Sequence, residues 1–131
     1  MSVLKVLLID DDPDIRKITA LAMKRVAKWE VEVAASGPEG LSVVREVDPD
    51  VILLDVMMPG MDGPTVLKEL KRSALTAHIP VIFLTAKIQR DEVDQYMSMG
   101  VVGVLKKPFN PLLLPAQIRQ LLDQPEEVAV S

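Results

Sequence analysis

Short apolar runs alternate with longer stretches of helical spacing from one end of the chain to the other. Five of the runs read as strands, at residues 3–9, 31–35, 51–55, 81–85 and 102–106. Several are almost unbroken Val, Ile and Leu, the pattern of strands covered on both faces in a parallel sheet. Helices fill the gaps. Asp12 followed by Pro13 has the chemistry of an N-cap and a first helical position, and Ile15, Ile18, Ala22 and Val26 then recur on one face. Ser36, with Glu39 three residues on, has capping-box spacing and opens a second helix to about Val47. A third helix is predicted over 63–72 and a fourth over 90–99, stopped by Gly100. A fifth is predicted from Asn110–Pro111 to about Asp123, with Pro115 tolerated in its first turn.

A strand followed by a helix, five times over, implies parallel βαβ units with right-handed crossovers. The predicted fold is a doubly wound α/β domain with a five-stranded parallel sheet and five helices. It covers residues 1–123, and 124–131 read as a short frayed tail.

Composition then removes several classes of function. At 131 residues the chain has room for one domain with a real core, and 49% hydrophobic against 26% charged residues argues against disorder. A net charge of −4 gives no general attraction for nucleic acid or anionic lipid, so neither is an expected partner. The absence of cysteine excludes disulfides and thiolate metal sites and fits a reducing compartment. No apolar run is long enough to span a membrane, and the first one stops at Ile9 against three Asp, unlike a signal peptide. The expectation is a soluble, cytoplasmic domain.

Candidate chemistry lies at the strand ends. In an open parallel sheet, ligands bind beyond the carboxyl ends of the strands, where strand order reverses. The predicted strands deliver Asp10 and Asp11, then the small residues Ala34, Ala35 and Ser36, then Asp55, then Thr85, and last Lys106 and Lys107. Like charges about 4 Å apart repel by roughly 4 kcal/mol at an effective dielectric near 20, so clustered acids need an offset. A divalent cation supplies one, because Mg²⁺ takes one or two carboxylates together with phosphate oxygens and water. A carboxylate can also attack phosphorus and carry an acyl phosphate, while a hydroxyl and an ammonium neutralise the phosphoryl oxygens.

Taken singly, these residues have plainer readings. Asp12 reads as a cap, Asp62 as a turn or cap residue, Thr85 as a β-branched strand residue, and the lysines as solvated. Asp55, ending the apolar run Val51–Leu54, is the hardest to explain without a partner. Gly60 and Gly63 form no phosphate-binding loop of the G-x-x-x-x-G-K-[ST] kind.

Four stretches, "LLIDDDP" (7–13), "PDVILLDVMMPGMDG" (49–63), "IPVIFLTA" (79–86) and "GVLKKPF" (103–109), fall in this order on the alternating elements. In them the chain resembles the receiver domain of two-component response regulators, over nearly its whole length to about Leu122. The resemblance implies a flavodoxin-like fold with strand order 2-1-3-4-5. It implies Asp55 as phosphoacceptor, with Mg²⁺ held by Asp10, Asp11, Asp55 and the backbone carbonyl of Met57. It makes Thr85 and Lys107 the groups that stabilise the phosphoryl oxygens, Ala86 the small neighbour that leaves room, and Lys107–Pro108 a cis peptide. Its implied partners are a sensor histidine kinase or phosphotransfer protein and a separate output protein. The output protein would meet the face of the fourth helix, fifth strand and fifth helix, and catalysis would extend only to the domain's own phosphorylation and dephosphorylation. The sequence departs from the family at Val104, where many receivers carry a Tyr or Phe that follows the Thr hydroxyl. Tyr96, on the predicted fourth helix, is not its equivalent.

Two rivals remain on the sequence. One is a receiver-like scaffold that binds a partner without phosphorylation. The other, a phosphatase of the haloacid-dehalogenase type, would place its nucleophile on the first strand in D-x-D, whereas the isolated acid here lies on the third.

Overall fold

The computed structural model describes residues 3–130, with side chains as far as residue 123. Strands and helices alternate as β1 (Lys5–Ile9), α1 (Pro13–Val26), β2 (Glu30–Ala34), α2 (Gly37–Val47), β3 (Val51–Asp55), α3 (Gly63–Arg72), β4 (Val81–Thr85), α4 (Arg90–Ser98), β5 (Gly103–Lys106) and α5 (Leu114–Val130). All strand pairs are parallel, in the order β2-β1-β3-β4-β5, as expected.

The near-continuous apolar strands are buried on both faces. Val6, Leu8, Val51, Leu53, Ile82 and Leu84 face one layer, against Met23 of α1, Trp29, and Leu114 and Ile118 of α5. Leu7, Ile9, Ile52, Leu54 and Phe83 face the other, against Val44 of α2 and Val66, Leu67 and Leu70 of α3. Each such side chain contributes about 1.5–3 kcal/mol on burial, so the apolar residues ahead of Asp55 anchor it firmly. The edge strand β2 is different: Glu30, Glu32 and Val33 are exposed.

Three helices begin on the caps read from the sequence. Asp12 Oδ1 accepts from the backbone N–H of Asp14 at 2.9 Å, Ser36 Oγ from Glu39 at 3.3 Å, and Asp62 Oδ1 from Thr65 at 2.9 Å. Gly100, at φ 104°, follows α4 in the left-handed region that ends a helix without strain only for glycine.

The fifth helix corrects the sequence reading. Its first turn is not at Asn110–Pro111, because Asn110 closes a separate turn on itself. Its Oδ1 accepts from Leu112 at 2.9 Å, and its carbonyl accepts from Leu113 at 3.0 Å and Leu114 at 3.1 Å. The helix starts at Leu114, which puts Pro115 in the first turn, where no N–H is required. It runs on past Asp123 to Val130. The side chains of the expected tail, 124–131, lie outside the described residues.

One close approach fixes the loop after β3. The Gly63 N–H donates to the Val56 carbonyl at 2.9 Å. A Cβ on Gly63 would lie 2.6 Å from the Asp55 carbonyl oxygen and 2.9 Å from the Val56 Cα, both backbone atoms that cannot swing away. Gly63→Ala is therefore expected to lower stability by about 2 kcal/mol, as overpacking does, in urea denaturation.

Candidate functional site

Register brings the strand ends together. Asp55 pairs with Leu84, and Thr85 with Lys106, so β3, β4 and β5 end side by side next to β1. The Lys107 N–H donates to the Thr85 carbonyl at 2.8 Å, which sends the Lys107 side chain back over β3 and β1. Its ammonium lies 2.8 Å from Asp10 Oδ2 and 3.2 Å from Asp55 Oδ1. Lys106, delivered by the same strand, is exposed and stays out of the cluster. The Lys107–Pro108 peptide is cis.

The three consecutive acids separate into three roles. Asp10 is fully buried; its Oδ1 accepts from the Asp12 N–H at 2.9 Å, and its Oδ2 faces Lys107. Asp11 is exposed at the mouth of the site. Asp12 is the cap of α1. One carboxylate oxygen from each of Asp10, Asp11 and Asp55 lies within 4.8 Å of the other two. This is a hard, all-oxygen donor set that fits Mg²⁺.

Asp55 is nearly buried, and its Oδ1 also accepts from the Met57 N–H at 3.3 Å. Burial, and then the charge of Asp10, push its carboxyl up from 3.8 to about 6, against the opposing pull of Lys107 and the Met57 N–H. Burial by itself would lower the Lys107 ammonium. Its hydrogen bond and charge attraction to Asp10, joined by Asp55, outweigh burial and raise it, so Lys107 stays charged. Thr85 is buried, and its hydroxyl makes a small turn with Lys87: Oγ1 donates to the Lys87 carbonyl at 3.1 Å and accepts from the Lys87 N–H at 3.3 Å. Met57 itself is largely exposed beside Asp55.

The sequence reading missed Arg16. Its Nη1 donates to the Asp10 carbonyl at 2.8 Å and so fixes the backbone that presents the buried acid. The available signal was a cation beside the N-terminal turn of α1, where the helix dipole disfavours positive charge unless a partner is present. Asp62, by contrast, is the cap it was read to be, and hydrogen bonds from Thr65 hold its carboxyl low.

A family model described as the response regulator receiver domain matches residues 6–119. The chain belongs to the response regulator receiver family. Among curated proteins, this receiver domain is similar to the DNA-binding dual master transcriptional regulator RpaA of Synechocystis. The two are 36% identical over 124 residues, which is 95% of this chain and 51% of RpaA. It is similar also to the response regulator PleD of Caulobacter vibrioides, 40% identical over 119 residues, 89% of this chain and 26% of that protein. It thus spans about half of one relative and a quarter of the other. Among solved structures, the chemotaxis response regulator CheY4 of Vibrio cholerae superposes with a TM-score of 0.85 at 32% identity. That match covers 92% of this chain and 99% of CheY4. A cluster of Asp10, Asp11 and Asp55 thus lies where receiver domains bind Mg²⁺. No helix among the described residues is long and apolar enough to cross a membrane.

Proposed function

We propose that the domain accepts a phosphoryl group on Asp55 from the phosphohistidine of a sensor kinase or phosphotransfer protein. Small acyl phosphates would serve as alternative donors. The observation that carries this reading is the Lys107 ammonium, set 2.8 Å from Asp10 and 3.2 Å from Asp55 at the end of a buried strand. Lys107 and the Met57 N–H both engage Asp55 Oδ1, so Oδ2 is the oxygen left to attack. It forms a bond to phosphorus as the donor's bond breaks and its electron pair departs on the leaving nitrogen or acetate oxygen. Lys107 then pairs with a phosphoryl oxygen and Thr85 donates to another, while Ala86 leaves room beside them. Asp10, Asp11, Asp55 and the Met57 carbonyl would hold Mg²⁺, which when bound neutralises charge on the transferring group. The phosphorylated domain would act on a separate output protein through the face of α4, β5 and α5.

Intact-mass spectrometry after incubation with acetyl phosphate tests this. One phosphoryl group per chain is expected with Mg²⁺ and none in EDTA. No adduct from acetyl phosphate or phosphoramidate, in protein shown to be folded, would overturn the reading. It would favour a phosphorylation-independent scaffold, the second reading, which Val104 supports by removing the usual aromatic on β5.

The raised Asp55 carboxyl also sets a pH dependence. A metal ligand must be deprotonated, and at pH 5 about one chain in ten carries ionised Asp55 if its pKa is about 6. Mg²⁺ affinity by titration calorimetry is expected to be about tenfold weaker at pH 5 than at pH 7.5.

A further inference from the structure

Helix α4 sits on the sheet with few anchors. None of its residues is buried, and Gln89 at its N-cap makes no side-chain capping hydrogen bond. Its aromatic anchor is Tyr96, whose ring meets Phe83 of β4 edge-on, with centroids 5.1 Å apart and planes at 90°. Phe83 is fully buried and pairs in register with Val104, the position without the usual aromatic. The other two aromatic rings of the chain, Trp29 and Phe109, pack on the opposite face of the sheet. Burial, then the charges of Glu92 and Asp62, push the Tyr96 phenol up.

Phe83 stands two residues before Thr85, so both side chains leave β4 on the same face. The Thr85 hydroxyl has one proton, and here it goes to the carbonyl of Lys87, in the turn that leads into α4. We infer that Tyr96, through its contact with Phe83, is the positioning residue that couples the state of Asp55 to the position of α4. The inference rests on the reading of Asp55 as phosphoacceptor. An anionic phosphoryl oxygen is a stronger acceptor than a peptide carbonyl, so it takes the Thr85 proton. The Lys87 carbonyl is released, the turn over residues 86–89 rearranges, and the Tyr96 ring moves off its place on Phe83. The ring contact belongs to the resting arrangement. Weakening it therefore favours the other arrangement and whatever binds that one better.

Tyr96 is the sole tyrosine, so 3-fluorotyrosine labelling gives a single ¹⁹F resonance at this position. Mg²⁺ and beryllium fluoride serve as the probe, and the fluorine signals of the bound probe report occupancy of Asp55 independently of the label. The Tyr96 resonance is expected to move in step with those signals, and Asp55→Asn is expected to show neither. Tyr96→Leu is expected to bind the probe about fivefold more tightly, the low end of coupling between sites, and Tyr96→Phe, which keeps the ring, within about twofold of the parent. Bound-probe signals with an unmoved Tyr96 resonance, or an unchanged affinity in Tyr96→Leu, would make Tyr96 a packing residue only. Absence of bound-probe signals in the parent chain would overturn the phosphoacceptor reading and this inference together.

Discussion

Asp55→Asn is expected to take up no phosphoryl group from acetyl phosphate in Mg²⁺ and to remain folded. The amide oxygen carries no full negative charge and cannot replace a carboxylate as the attacking group. It can still accept from the Met57 N–H and from Lys107, which now hold Asp55 Oδ1 at 3.3 Å and 3.2 Å. The variant also removes the like charge that Asp10 sees across the site. The parent's Asp55 carboxyl is raised in the folded state, so the folded chain binds its proton more tightly than the unfolded chain. Its contribution to stability is therefore largest in acid and falls as pH rises from about 4 to about 6. In EDTA, the difference in stability between Asp55→Asn and the parent should shift in favour of the variant across that window. Intact mass reads the first effect and urea denaturation at several pH values reads the second. An adduct on Asp55→Asn would place the acceptor elsewhere.

Lys107→Ala is expected to be the most destabilising single change at the site, by about 3 kcal/mol in EDTA at pH 7.5, because it leaves two buried carboxylates facing each other without a cation. Asp10 is fully buried and Asp55 nearly so, which leaves water little room to compensate. The loss should shrink toward pH 5, as Asp55 takes up a proton. The same variant separates two roles of the lysine. Mg²⁺ should bind more tightly, because a fixed cation no longer competes for Asp10 and Asp55. Phosphoryl uptake should slow by about a hundredfold, the usual effect of deleting one charge-stabilising group. Denaturation in EDTA and in Mg²⁺, with a time course by intact mass, checks all three. Unchanged stability in EDTA would show the lysine to be a spectator in the resting state.

The parts of this architecture that follow from burial could be read directly from the chain. Val51–Leu54 and Val81–Leu84 are apolar at every position because both faces of β3 and β4 are covered, and Asp55 then stands out as a charge where none should be. The caps at Asp12, Ser36 and Asp62 follow from local hydrogen bonding and needed no tertiary information. What depended on long-range geometry was less visible. Within "KK" only the family resemblance singles out Lys107; residue chemistry alone does not, and the Lys107–Thr85 backbone bond is what turns Lys107 inward while Lys106 meets solvent. Arg16 reaches Asp10 across six residues that span a strand end and a helix start, which no periodicity records. Asn110 could have capped a helix directly or closed a preliminary turn, and only the packed position of Leu114 selects the second. Tyr96 lies on α4 and not on β5, and no helical periodicity shows that its ring meets Phe83, beside the register position of Val104.

The strand at the rim of the sheet has a consequence for how copies of this chain tolerate one another. β2 leaves one row of backbone donors and acceptors open, which is how sheets of separate molecules join edge to edge. Glu30 and Glu32 are exposed on that rim, so a second copy laid along it brings carboxylate against carboxylate before any ladder forms. Resistance to aggregation at this rim is therefore electrostatic and weakened by high salt.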